Sequence, residues 1–141
     1  MTTKFSPILK VKSLEIERVE NELSKLNNQK KSLSLEIDSL KDELEKNLYP
    51  KSGQIKNLKQ NFFKNTLIKK NIELKLQNIK FLEEQIKSTQ ELLKKAMLEY
   101  EKINHLHKVE EKKMIEALKK QEVKELDNIA NILFSLKKEE I

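Results

Sequence analysis

The chain has 141 residues, 37% charged and 37% hydrophobic, with one glycine, two prolines, no cysteine and no tryptophan. So few turn residues exclude a sheet protein, and the lack of cysteine excludes disulfides, thiolate zinc sites and thiol nucleophiles. The net charge of +6 rests on lysine with Arg18 as the one arginine; arginine is preferred for bidentate phosphate or guanine recognition, so no specific nucleic acid partner is expected.

The opening residues hold no signal-type apolar run, and no segment reaches the roughly 18–20 apolar residues of a membrane span. A soluble cytoplasmic protein is the expectation. Ser6-Pro7 reads as a helix start, with serine able to cap and proline suited to the first helical position. From Leu9 a seam runs at 9, 12, 16, 19, 23, 26, 30, 33, 37, 40, 44 and 47. All of these are apolar except Lys12, Lys30 and Asn47, a strong coiled-coil pattern. Tyr49-Pro50-Lys51-Ser52-Gly53 then breaks the helix, since proline stops it and glycine accepts a left-handed turn.

A second seam is read at 55, 58, 62, 65, 69, 72, 76 and 79, carried by Ile55, Leu58, Phe62, Ile72, Leu76 and Ile79. It resumes at 82, 86, 89, 93, 96, 100 and 103. The step from 79 to 82 repeats a spacing of three, a stammer that should overwind the supercoil. The predicted fold is all-α, an antiparallel two-helix coiled-coil hairpin in a single domain over 1–141. Helix one covers about 6–48, the turn 49–53 and a longer helix two about 54–136. Partners about the turn should have residue numbers summing to about 103, placing Phe5 near Leu98 and Leu23 near Lys80. At 1.5 Å per residue the second helix outruns the first by about 50 Å.

Leu14, Leu35, Phe63, Ile68, Leu74 and Phe81 flank the seams. The preferred reading has them broadening the hairpin's own contact, and the other makes them an exposed stripe for a partner. Ile115, Leu118, Leu126, Ile129, Ala130, Leu133 and Leu136 trace a stripe with no first-helix partner. With no Gly or Pro near Asn104-His105-Leu106-His107, a continuous helix held by another protein is favoured over a fold-back.

No catalytic centre is expected. His105 and His107 are two apart and point about 200° from each other on a helix, so they cannot share a metal. Gly53 alone cannot build a phosphate loop. No cofactor and no small-molecule substrate is expected. Charge is distributed unevenly: residues 51–81 hold eight lysines against Glu73, while 1–50 are neutral and 82–141 carry −1. With Tyr49, Phe62 and Phe63 close by, this basic tip suits an acidic protein surface. Phe62 is read as core, and Phe63, 100° away, as exposed.

Lys4-Phe5, Ile8-Leu9, Glu15 and Glu22-Leu23, with Glu122, Lys124-Glu125-Leu126-Asp127 and Ile129-Ala130, resemble the FliJ family of flagellar type III export proteins over nearly the whole length. Asn128 stands where the family pattern has an acid. The resemblance implies an antiparallel coiled coil like the stalk of rotary ATPases, peripheral at the cytoplasmic face of the inner membrane. It implies partners in the hexameric export ATPase (FliI-like), the export gate protein (FlhA-like) and export chaperones. On that basis Leu126, Asp127, Ile129, Ala130 and Leu133 are expected to meet the ATPase. Charge and exposure, rather than a family motif, assign Tyr49, Lys56, Lys59, Phe62, Phe63 and Lys64 to the gate. The alternatives are the stalk of a virulence-type secretion system, another cytoplasmic coiled-coil scaffold, or a nucleic-acid-binding hairpin.

Overall fold

A computed structural model describes residues 2–47 and 55–139, with side chains of the second segment described from Leu58 onward. The turn expected at 49–53 lies outside the described residues. Two helices make up the fold, α1 (Ser6–Asn47) and α2 (Ile55–Glu139), and they pack against each other. The cap of α1 differs from the serine cap expected. Thr3 Oγ1 accepts a hydrogen bond from the Phe5 backbone N–H at 3.1 Å, and the Thr3 backbone N–H donates to Ser6 Oγ at 3.0 Å. This is a reciprocal capping box with serine in the answering position, and it satisfies two backbone donors at once.

The chain divides into two compact units, one formed by the start of the chain with residues from Ala96 onward, the other by Glu15–Lys95. In the Glu15–Lys95 unit the covered positions of α1 are 16, 19, 23, 26, 30, 33, 37, 40, 44 and 47, the predicted seam with its polar members included. Opposite them α2 covers Asn61, Asn65, Ile68, Ile72, Lys75, Ile79, Leu82, Ile86, Thr89 and Leu93. These alternate steps of three and four without interruption, so the expected stammer is absent. One of the two columns read from the sequence holds (65, 72 and 79). The other lies one residue earlier, at 61, 68 and 75 rather than 62, 69 and 76. Leu58, Phe62 and Leu76 are exposed, Phe62 at 75%. Of the flanking residues, Ile68 is buried within the seam itself, while Leu35, Phe63, Leu74 and Phe81 are exposed and do not broaden the contact.

Cross-helix ion pairs fix the register. Lys75 Nζ meets Glu36 Oε2 at 2.6 Å and Lys30 Nζ meets Glu83 Oε1 at 3.3 Å, pairs whose numbers sum to 111 and 113. The register is therefore offset by about eight residues from the expected sum of 103, and Leu23 falls level with Thr89 rather than Lys80. The offset puts Asn47, the last residue of α1, level with Asn65. Phe62 and Phe63 are exposed because they sit beside, and not on, the covered positions Asn61 and Asn65. Asn47 Nδ2 and Asn65 Oδ1, a donor and an acceptor, are buried without hydrogen-bond partners in this last layer. A slip by one heptad would set Lys30 against Leu76 or Gln90 in place of Glu83, so the pair is lost in either direction and favours one register at modest cost.

In the other unit Lys12 Nζ meets Glu99 Oε2 at 3.0 Å and Thr3 Oγ1 lies 2.7 Å from His107 Nδ1, again with numbers summing to 111 and 110. Phe5 therefore stands level with the region of His107 rather than with Leu98, which is exposed, as is Leu14. Covered positions on α2 continue through Glu111. From Lys112 to Glu139 every residue is exposed and the helix is unbroken.

Candidate partner-binding surfaces

Two exposed surfaces contain the residues expected to bind partners. The first is the arm of α2 from 112 to 139. Leu126, Asp127, Ile129, Ala130 and Leu133 are all exposed there, Leu126 at 65% and Leu133 at 60%. The apolar surface is wider than those five residues indicate. Ile132, Phe134 and Leu136 are exposed beside them. At 100° per residue, Ile129, Ala130, Ile132, Leu133, Phe134 and Leu136 spread over an arc of roughly 200°. A helix lying on one partner needs an apolar stripe of about 100°. The apolar arc at the end of the arm is about twice that width. Lys138 Nζ lies 5.7 Å from the Phe134 ring centroid, a cation–π contact that covers one edge of this surface.

The second surface lies at the start of α2. Lys59, Phe62, Phe63 and Lys64 are exposed on consecutive turns, and Leu67 joins them. Lys56 belongs to the first turn of α2, but its side chain, like the whole of Tyr49, lies outside the described residues. The sequence reading missed Leu67, Ile132 and Phe134. Carrying the clear 82–103 seam backwards in steps of three and four would have reached Asn61 and Asn65 and left Phe62, Phe63 and Leu67 outside.

The two histidines differ in surroundings. His105 is exposed, whereas His107 is half-buried against Thr3 and has Nε2 3.7 Å from Glu111 Oε2. Its role is to hold the capped start of α1 onto α2. No group of three His, Asp or Glu that could hold a metal occurs among the described residues. No helix there is long and apolar enough to cross a membrane. The open grooves within the Glu15–Lys95 unit run beside Phe81, past Gln29, Ser32 and Gln85.

Neither a curated protein nor a solved structure matches the chain. A family model described as Flagellar FliJ protein matches residues 1–139. With a two-helix coiled coil and a match over all but its last two residues, the chain belongs to the FliJ family of flagellar export components.

Proposed function

We propose that this protein is a stalk and adaptor that joins the hexameric export ATPase to the membrane export gate and assists in handling export chaperones. The observation that carries this reading is the uncovered arm of α2. Some 28 residues extend with every side chain exposed and with Leu126, Ile129, Leu133 and their neighbours forming a broad apolar surface. Leaving that much apolar surface in water is costly, and a lone helix of this kind gains its stability from a partner. A ring of subunits suits an apolar arc of about 200° better than a single flat surface does. In this reading Leu126, Asp127, Ile129, Ala130 and Leu133 meet the ATPase. Lys59, Phe62, Phe63 and Lys64, with Lys56 and Tyr49, serve the gate end.

The test is a double substitution, Leu126→Asp with Leu133→Asp. Co-purification with the export ATPase should be lost while the helical circular-dichroism signal is kept. Unchanged co-purification would contradict the assignment of the arm.

A further inference from the structure

The exposed start of α2 has a chemistry that gate binding does not require. No acidic residue occurs between Glu45 and Glu73, while Lys59, Lys64, Lys69 and Lys70 are all exposed. None of these four forms an ion pair among the described residues. Interleaved with them are Phe62, Phe63 and Leu67, exposed at 75%, 66% and 52%. At 100° per residue Lys59, Phe63 and Lys70 project within about 40° of one another. They point away from the covered Ile68 and Ile72, with Phe62 and Leu67 flanking them on either side. The Thr66 hydroxyl donates back to the Phe62 carbonyl at 2.8 Å, so the one small polar group of this face is occupied on its own helix.

We propose that this face, Lys59 to Lys70, docks on an anionic lipid surface. Three features favour lipid over an acidic protein. Every cation is a lysine, a strongly hydrated point charge suited to a diffuse anionic surface, where arginine would suit fixed bidentate contacts. The apolar side chains Phe62, Phe63 and Leu67 lie off the covered positions 61, 65, 68 and 72 and are exposed, so they project outwards instead of lining a cleft. Lys69, Phe62, Lys59, Lys70, Phe63 and Leu67 interleave within an arc of about 160°, with Lys64 at its margin, which lets the rings enter the headgroup boundary while the lysine stems carry their charges back to the phosphates. The side chains include those assigned above to the gate end, and lipid docking brings that end to the membrane in which the gate sits; the lipid contact itself needs neither the ATPase nor the gate, so it is tested apart from that reading.

The test uses the full-length chain in flotation with vesicles of phosphatidylcholine alone and of an equimolar mixture with phosphatidylglycerol. The chain should float only with the mixture and be released as salt rises, because the attraction falls off within a Debye length. Reversing Lys59, Lys64, Lys69 and Lys70 to Glu should weaken binding at least about a thousandfold. Phe62→Ser with Phe63→Ser should cost about tenfold and leave the salt dependence in place. Reversing four arm lysines instead, Lys112, Lys113, Lys119 and Lys120, should have a far smaller effect. Circular dichroism checks that each variant keeps its helix. Equal flotation with both vesicle types, no flotation with either, or equal losses from tip and arm reversals would overturn the proposal. So would binding to an acidic protein domain by a chain that ignores the vesicles.

Discussion

One helix, α2, is used in two different ways along its length, and the contrast is sharpest within the unit that holds its second half. From Ala96 to Glu111 it presents Ala96, Tyr100, Ile103, His107 and Glu110 to α1, spaced by three and four. Carrying that frame onward gives Met114, Ala117, Gln121, Lys124, Asn128, Asn131 and Ser135, a face that turns polar within two turns. Beyond Met114 and Ala117 the apolar residues lie elsewhere, with Ile115, Leu118, Leu126, Ile129, Leu133 and Leu136 centred roughly 130° around the helix. The arm is therefore not a length of seam that lacks its partner strand. Its apolar surface faces a different direction from the hairpin contact and is broader, as expected of a surface meant for another protein.

The comparison can be broken most severely by removing the arm. Deleting residues 112–141 should lower affinity for the export ATPase at least about a hundredfold, as loss of a buried hot-spot cluster does. The thermal midpoint of the remaining hairpin, followed by circular dichroism, should stay unchanged. A truncated chain that melts early would mean the arm supports the fold. Next in size is a matched pair of substitutions read by urea denaturation. Ile37, 4% exposed, should cost about 2–4 kcal/mol when changed to alanine. Ile132→Ala, on the exposed arm, should stay within about 0.5 kcal/mol. Smaller again is Thr3→Val, which removes the cap and the His107 contact. About 1 kcal/mol should be lost, read as faster amide exchange near Phe5 to Leu9 with little change further along. The smallest effect belongs to the Lys75–Glu36 pair. Its coupling in a double-mutant cycle should be under about 1 kcal/mol because Glu36 is half in solvent.

Much of this was legible in the sequence, and the errors have distinct physical origins. All of α1's seam was readable, Lys12, Lys30 and Asn47 included, because a 3-4 frame sustained over twelve positions overrides the character of single residues. At the start of α2 the frame was lost. Phe62 is more apolar than Asn61 and Leu76 more than Lys75, so hydrophobicity drew one column a residue too late. That misreading also produced the stammer. The register was out of reach of the spacing alone, since it depends on how far α2 extends past Asn47, and only Lys–Glu pairs on opposite helices disclose it. The apolar arm was visible because nothing in the first helix could reach it. Its true width was not, since Ile132 and Phe134 fall outside a single stripe.

The most direct test of the central claim, that the arm of α2 is a surface reserved for another protein, is hydrogen exchange along α2 with and without the export ATPase. In the isolated chain, amides from Asn65 to Glu111 should be protected, and those from Lys112 to Glu139 should exchange quickly. Adding the ATPase should protect the stretch from Ile115 to Leu136 and leave the hairpin pattern as it was. An arm already protected in the isolated monomer, or one whose exchange the ATPase does not slow, would contradict the claim.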